Sequence, residues 1–272
     1  MPDTSMQCTQ MVEVLLATDF DGTIAPIVAT PGAAAIDPQV ARFLERCADV
    51  PGVAVAVISG RDVDDVRPRL GSLRAIVAGS HGLQCVDATG SLVWTTDQCC
   101  PEVPASLMRD LLRNDLRVER KKFSFALHFR GSAVEEQEIG RITAALTAWA
   151  EEHNLDVITG RKVVEIRVRG GGKRAALRAI AERLHARRLV YAGDDVTDFP
   201  ALAFTASKGR AIFVESEERT APAIHGLRRV ARIADLSTAF AHELLEHVPA
   251  GAAALAPQFL AGSVSLANEP RT

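Results

Sequence analysis

Short apolar runs recur along the chain, and most of them lack the polar alternation of a half-exposed strand. They occupy residues 12–17, 53–58, 74–78, 188–192, 210–214 and 229–233. Continuous runs of this length suit strands buried on both faces, as in a parallel sheet. Amphipathic helical patterns separate several of them, at residues 38–48 and from Lys173, where Ala176, Leu177, Ile180 and Leu184 share one face. This order predicts an α/β fold with a Rossmann-like, doubly wound parallel sheet as its core.

The middle of the chain follows a different period. In 'KFSFALHFR' and 'KVVEIRV', apolar residues alternate with Ser124, Ala126, His128, Glu165 and Arg167. A period of two predicts an antiparallel sheet with one solvent-facing side. A helical pattern over residues 133–153 can cover the other side with Ile139, Ile142, Leu146 and Trp149.

These patterns divide the chain into a discontinuous core and an insertion. We predict the core over residues 11–82 and 170–247, with an α+β unit inserted over residues 83–169. Residues 248–272 are rich in Ala, Gly, Pro and Ser, and we expect a flexible tail there.

Composition narrows the class of protein. The 272 residues are 47% hydrophobic and 24% charged, with a formal net charge of −3, which is ordinary for a globular protein without a nucleic-acid partner. No apolar stretch predicts a membrane span, and the N-terminus does not look like a signal peptide. Five cysteines without a CxxC spacing predict reduced thiols. We therefore expect a cytoplasmic protein, and a monomer.

Polar side chains collect where the apolar runs end. Asp19 and Asp21 follow the first run, Ser59-Gly60-Arg61 the second, and Gly193-Asp194-Asp195 the fourth, while Lys173 follows three glycines. In open α/β sheets, chemistry sits beyond the carboxyl ends of the strands.

Converging carboxylates repel one another and favour a bound cation. Asp19, Asp194 and the backbone carbonyl of Asp21 offer hard oxygen ligands, which predicts a Mg²⁺ site. Ser59 and Lys173 suit phosphate oxygens, and Gly22 and Gly60 let backbone N–H groups approach closely. Together these groups predict phosphoryl transfer.

At these residues the chain resembles a known superfamily. 'DFDGT', 'SGR', the lysine after a glycine-rich turn and 'GDDVTD' resemble, in order, the four motifs of the haloacid dehalogenase (HAD) superfamily of phosphatases. The resemblance implies that Asp19 is the nucleophile and forms an aspartyl-phosphate, and that Asp21 is the general acid and then the base. It further implies phosphate contacts from Thr23, Ser59, Gly60 and Lys173, a Mg²⁺ ion, and an orienting role for Asp195 and Asp198.

A narrower resemblance runs over about residues 12–245. 'DFDGTIAPI', 'VAGSHGLQ', 'VERKKFSFALHFR', 'GRKVVEIR' and 'GRAIFV' look like segments of the trehalose-6-phosphate phosphatases. The insertion occupies the place of a C2-type cap, which implies that Glu119, Lys121 and Glu165 grip the sugar. His81 and Arg61 are further candidates for substrate contact, and a trehalose-phosphate synthase is a candidate partner.

Several alternatives stay open at this stage. Ser59 or Asp198 could simply cap a helix, Arg61 could be a structural ion-pair partner, and Glu119 and Glu165 could be ordinary solvent-facing residues. The chain departs from the family at Val168-Arg169, Arg174 and Phe199-Pro200. The rival functions are a sucrose-phosphate or mannosyl-phosphoglycerate type of phosphatase, a phosphomutase, and a non-catalytic sugar-phosphate-binding regulator.

Overall fold

A computed structural model describes residues 11–28, 30–105, 107–109, 116–129, 131–160, 162–216 and 219–247. The predicted tail lies outside these residues. The chain forms two compact units, Met1–Val93 with Gly172–Thr272, and Trp94–Gly171. The predicted insertion begins at residue 83, before a strand of the large sheet, so the first crossing between the units lies about ten residues later than predicted.

The described residues include the following strands and α-helices. The strands are β1 (Val14–Thr18), β2 (Val53–Ile58), β3 (Ile76–Gly79), β4 (Gln84–Val86), β5 (Leu92–Thr95), β6 (Arg117–Arg120), β7 (Ser124–His128), β8 (Leu155–Gly160), β9 (Val163–Val168), β10 (Arg188–Gly193), β11 (Gly209–Val214) and β12 (Arg228–Val230). The helices are α1 (Pro38–Ala48), α2 (Val63–Val66), α3 (Glu136–Glu152), α4 (Lys173–Arg183), α5 (Phe199–Ala206) and α6 (Leu236–His247).

The large sheet has the order β12-β11-β10-β1-β2-β3-β4-β5. Its strands from β12 to β3 pair in parallel, and β4 joins β3 antiparallel. All five residues of β1 are buried, as expected for a central parallel strand. The structure therefore confirms the predicted α/β fold, and the extension of the sheet by β4 and β5 is a feature that the apolar runs did not predict.

Helices cover both faces of this sheet. Val14 and Leu16 of β1 share one core with Phe43 of α1 and Phe240 of α6, whose rings stack with centroids 6.3 Å apart. Alternate residues of β1 point to the other face, where α4 contacts β2 and α5 contacts β10. Helix α1 begins as predicted, because the Asp37 side chain accepts hydrogen bonds from two N–H groups of the first turn.

The second unit is an antiparallel sheet in the order β6-β7-β9-β8, with α3 packed on one face. Phe125 and Leu127 of β7 lie in one core with Ile142 and Leu146 of α3, which confirms the predicted dry face. The predicted wet face is only partly right, because Ser124 and Ala126 on it are also buried. The next subsection describes the charged side chains of that face.

No helix in the described ranges combines the length and apolar character needed to cross a bilayer.

Candidate active site

The ammonium group of Lys173 joins two of the predicted site carboxylates. Its Nζ lies 2.8 Å from Oδ1 of Asp19 and 2.9 Å from Oδ1 of Asp198, and all three side chains are at most 6% exposed. Asp19 directly follows β1, and its N–H donates to the Ala192 carbonyl of β10 at 2.9 Å. Lys173 is the first residue of α4. Its ammonium group therefore joins the start of α4 to the residue that follows β1.

Asp194 lies beside this pair and is held by the segment that follows β1. The Thr23 hydroxyl donates to Asp194 Oδ1 at 2.8 Å. Thr23 was predicted to contact phosphate, but Thr23 is fully buried and its hydroxyl points at the Asp194 carboxylate. Gly22 has a φ of +79°, and a Cβ there would overlap the Asp194 carboxylate. The 'DGT' sequence therefore leaves room for Asp194 and orients it.

Asp198 is fully buried and accepts hydrogen bonds at both oxygens. Oδ1 accepts from Lys173 and from the Tyr191 hydroxyl, and Oδ2 accepts from the Asp195 N–H at 3.1 Å. Its side chain makes no capping bond to α5, so the alternative of a simple cap on that helix is wrong. The Asp195 carboxylate pairs with Arg219, whose Nε lies 2.6 Å from Oδ1.

The cluster carries more negative than positive charge. Oxygens of Asp19, Asp194 and Asp198 lie within 4.8 Å of one another, and Lys173 is the cation bonded among them. Burial raises the pKa of Asp19 well above its ordinary value although Lys173 opposes the shift. Burial and the nearby Asp198 raise the pKa of Asp194 to about 7. Such a set of hard oxygen donors fits a divalent cation. Both oxygens of Asp198 already accept hydrogen bonds from protein groups, whereas Lys173 engages only Oδ1 of Asp19, which leaves Asp19 and Asp194 as the side chains suited to hold it.

The Asp21 carboxylate lies apart from this cluster and is bound by Arg61. Arg61 Nε donates to Asp21 Oδ2 at 2.6 Å, and Nη2 donates to Oδ1 at 2.7 Å. The Asp21 side chain is 38% exposed, against 6% for Asp19. Asp21 can therefore meet a ligand from solvent while Asp19 stays in the buried cluster. The predicted metal contact of its backbone carbonyl stays a prediction.

His81 connects the 'SGR' segment, which contains Ser59, to the glycine-rich turn before Lys173. Ser59 Oγ accepts from the Arg61 N–H at 3.1 Å, and the cap residue of α2 is Asp62, so Ser59 does not cap that helix. The His81 N–H donates to the Ser59 carbonyl at 2.8 Å, and the His81 carbonyl accepts from the Gly172 N–H at 2.6 Å. A Cβ on Gly60 would lie 2.7 Å from the His81 ring. His81 thus ties Ser59 to the residue before Lys173.

The structure brings the three predicted sugar-binding residues together on one face of the second unit's sheet. Ala126 of β7 pairs with Glu119 of β6 on one side and with Glu165 of β9 on the other. Because both glutamates flank its small side chain, Ala126 is buried on a face that carries charge. Glu165 Oε1 accepts from Ser124 Oγ at 2.6 Å and lies 3.5 Å from Lys121 Nζ.

Glu119 has its own partner on this face. His128 Nε2 lies 2.8 Å from Glu119 Oε2, and the bond to His128 lowers the pKa of the glutamate below its ordinary value although burial opposes the shift. Glu119, Lys121, Ser124, His128 and Glu165 form what we call the polar face of the second unit. Its acceptors and donors are the kinds of group that bind sugar hydroxyls.

Comparison with known proteins identifies the family. The family model described as trehalose-phosphatase matches residues 17–218. The chain belongs to this family. A trehalose-phosphate phosphatase of Mycobacterium marinum is 34% identical over 242 residues, which is 83% of this chain and 61% of that protein. One of Mycolicibacterium paratuberculosis is 32% identical over 272 residues, which is 90% of this chain and 68% of the relative. The chain spans about three fifths of the length of the Mycobacterium relatives it matches.

Solved structures show the same fold. The C-terminal domain of Candida albicans trehalose-6-phosphate phosphatase superposes with a TM-score of 0.68 at 18% identity, over 83% of this chain and 92% of that one. The phosphatase BT1666 of the HAD superfamily, from Bacteroides thetaiotaomicron, gives a TM-score of 0.57 at 17% identity, over 89% and 97%. The fold of this trehalose-phosphatase family member is therefore HAD-like.

Three of the residues that depart from the family pattern contact an identified side chain. The Arg174 guanidinium lies over the Phe204 ring at 5.8 Å, and Phe199 packs against Phe213 with ring centroids 6.2 Å apart. Arg169 Nε lies 3.3 Å from Asp156. All of these departures leave Asp19, Asp21, Lys173 and Asp194 in place.

Sequence reasoning missed Tyr191, whose hydroxyl donates to Asp198. The available signal was a tyrosine in an otherwise apolar buried run, because a buried phenol needs a hydrogen-bond partner. The alternative that Arg61 forms an ion pair is confirmed, but the sequence offered no direct signal that its partner is Asp21, 40 residues away.

We expect Gly22→Ala to destabilise the fold by about 1–3 kcal/mol, because alanine adopts this positive φ poorly and its Cβ would displace Asp194. Gly32→Ala is the matched control, since nothing lies within 4 Å of its Cβ position, and it should change stability by less than about 0.5 kcal/mol. Urea denaturation of both variants measures the difference. Equal stabilities would contradict the packing of Gly22 on Asp194.

Proposed function

We propose that this chain is a Mg²⁺-dependent phosphatase that hydrolyses trehalose 6-phosphate to trehalose and phosphate. The observation that carries the proposal is the buried contact of Asp19 with Lys173 beside Asp194, with Asp21 two residues away. Membership of the trehalose-phosphatase family supports the substrate, and the names of the relatives support the reaction.

Asp19 supplies the nucleophile in the proposed first step. Lys173 donates to Oδ1 of Asp19, which leaves the other carboxylate oxygen to attack phosphorus. The bond from phosphorus to the sugar oxygen breaks as the bond to Asp19 forms, and Asp21 protonates the departing sugar oxygen. The product is an aspartyl-phosphate on Asp19.

Asp21 acts as the base in the second step. Now a carboxylate, it takes a proton from water, which attacks phosphorus and releases inorganic phosphate from Asp19. Asp19, Asp194 and the backbone carbonyl of Asp21 would hold Mg²⁺, which when bound neutralises charge on the phosphoryl oxygens. Lys173 keeps Asp19 in place, and Ser59 is the candidate hydroxyl for a phosphate oxygen.

We further propose that the polar face of the second unit binds the sugar. Trehalose carries no charge beyond its phosphate, so recognition depends on hydrogen bonds to hydroxyl groups. Glu119 and Glu165 supply acceptors, and Lys121 supplies a donor.

Phosphate release from trehalose 6-phosphate tests the reaction and the metal together. We expect release with Mg²⁺, loss in EDTA, and recovery when excess Mg²⁺ is restored, because the buried carboxylates need a cation to bind a phosphate dianion. Sucrose 6-phosphate serves as the comparison substrate in the same assay. Equal turnover of the two sugars would contradict the assignment to trehalose.

Asp19→Asn should abolish phosphate release, because an amide is a poor nucleophile and cannot form the acyl phosphate. The expected loss exceeds about 10³-fold, on the scale of removing a nucleophile from other enzymes. Circular dichroism checks that the variant keeps its fold. Asp49→Asn is the control, since this aspartate is 67% exposed and pairs with Arg74 away from the cluster. Turnover by Asp19→Asn at the wild-type rate would refute the role of Asp19.

Glu119→Gln and Glu165→Gln should each raise KM for trehalose 6-phosphate by about 5–50-fold, the value of one or two hydrogen bonds to a charged acceptor. The KM for p-nitrophenyl phosphate, which carries no sugar, should change by less than about twofold on the same reasoning. Glu138→Gln, on the surface of α3, is the control in the same unit. A parallel rise for both substrates would place the glutamates outside sugar recognition.

A further inference from the structure

Four charged side chains form a continuous chain of ion pairs that begins at Asp21. Arg61 binds Asp21 through two nitrogens, and its third nitrogen, Nη1, donates to Asp65 Oδ2 at 2.8 Å. Asp65 Oδ1 in turn accepts from Arg69 at 2.5 Å. We call Asp21, Arg61, Asp65 and Arg69 the ion-pair chain. It alternates in sign and carries no net charge.

The far end of the ion-pair chain returns to the connection that carries Asp21. Arg69 Nη1 donates to the carbonyls of Gly32 and Ala34, at 2.8 and 2.9 Å. Both carbonyls belong to the segment between β1 and α1, as does Asp21. The ion-pair chain therefore joins that segment at two points to the residues that follow β2.

Arg61 is fixed at its backbone and along its side chain. Its N–H donates to Ser59 Oγ, its carbonyl accepts from the Ser80 N–H at 2.7 Å, and its guanidinium lies 5.7 Å from the centroid of the Phe20 ring. Its side chain is 15% exposed. Because Arg61 is held at so many points, it can fix the position of the Asp21 carboxylate that it binds.

All three guanidinium nitrogens of Arg61 already donate to protein carboxylates. These three charge-assisted bonds commit the guanidinium to Asp21 and Asp65, whereas the substrate contact that the family resemblance suggested would have to use a different N–H group. Asp21, in contrast, stays 38% exposed while bound. Both oxygens of a protonated Asp21 keep lone pairs that can accept, so Arg61 can hold it in both the acid and the base form.

We propose that Arg61 is the positioning residue for the general acid–base Asp21, and that Asp65 and Arg69 hold Arg61 in place for this purpose. The proposal rests on the function proposed above. Two parallel bonds set the plane and direction of the Asp21 carboxylate, which a single charge at the same distance would not do. Arg61 thereby acts on kcat through Asp21 and leaves phosphate affinity unchanged.

Substitution of Arg61 by methionine and by lysine separates positioning from phosphate binding. Both variants should lower kcat on trehalose 6-phosphate by about 10–100-fold, part of the 10²–10⁴-fold that a placed general acid contributes. KM and the inhibition constant of inorganic phosphate should stay within about twofold. Lysine does not rescue, because it restores the charge without the two-bond geometry. A phosphate-binding role predicts the opposite, with rescue by lysine and a higher phosphate inhibition constant for methionine.

Two further variants test whether the effect passes through Asp21. Asp65→Asn should lower kcat by about 3–10-fold at unchanged KM, since Asp65 acts only through Arg61. In an Asp21→Asn background, adding Arg61→Met should change kcat by less than about twofold. Arg178→Lys is the control, because Arg178 forms an exposed pair with Glu182 on α4.

The failures of the two proposals are distinguishable. A wild-type protein that releases no phosphate from trehalose 6-phosphate contradicts the proposed function. If the wild type is active, Arg61 variants with a wild-type kcat overturn the positioning role. Losses of kcat that add when Arg61→Met is combined with Asp21→Asn overturn it as well. A crystal structure of Arg61→Met decides the positioning without activity. We expect the Asp21 carboxylate to leave its wild-type position, and an unmoved carboxylate would also overturn the proposal.

Discussion

The ammonium group of Lys173, shared between Asp19 and Asp198, is the interaction on which the carboxyl edge of the large sheet depends. Its three members come from the end of β1, the start of α4 and the turn after β10. Each charge is buried, and a buried charge without its partner is strongly destabilising. The three segments must therefore adopt their folded positions together. Asp194 adds a further carboxylate that one lysine does not neutralise. This excess of carboxylates makes the edge suited to a cation, and a bound cation would in turn attract a phosphate.

The parallel sheet is what makes this meeting possible. β1 and β10 are neighbours although more than 160 residues separate them, and Thr18 pairs with Ala192 in the ladder. Asp19 and Asp194 then emerge side by side from adjacent strands. Two glycines allow the carboxylates to lie this close to the backbone, since a Cβ at Gly22 would overlap Asp194 and one at Gly193 would overlap Asp198. The strand order sets which carboxylates meet, and the glycines set how closely.

The two catalytic candidates that follow β1, Asp19 and Asp21, lie in different electrostatic environments. Asp19 lies in a buried cluster with surplus negative charge, whereas Asp21 ends a neutral chain of alternating charges and remains partly exposed. Two carboxylates two residues apart can have different chemical roles when their surroundings differ in this way. The polar face of the second unit adds a third environment, in which glutamates paired with Lys121 and His128 lie on a sheet whose other face is an apolar core.

Local sequence patterns predicted most of the elements and placed candidate chemistry at their ends. The bounds of β2 and α1 match their predicted residues, because strand runs and helix caps are local patterns. Asp19, Asp21, Lys173 and Asp194 were predicted as site residues because, in this class of fold, chemistry sits beyond the strand ends. The hydrogen-bond partners of these side chains follow from the three-dimensional packing instead. It directs Thr23 to Asp194, Asp198 to Lys173 and Tyr191, and Arg61 to Asp21, and it adds β4 and β5 to the large sheet. A hydrogen bond depends on distances between atoms that the chain brings together from far apart, and no local pattern contains those distances.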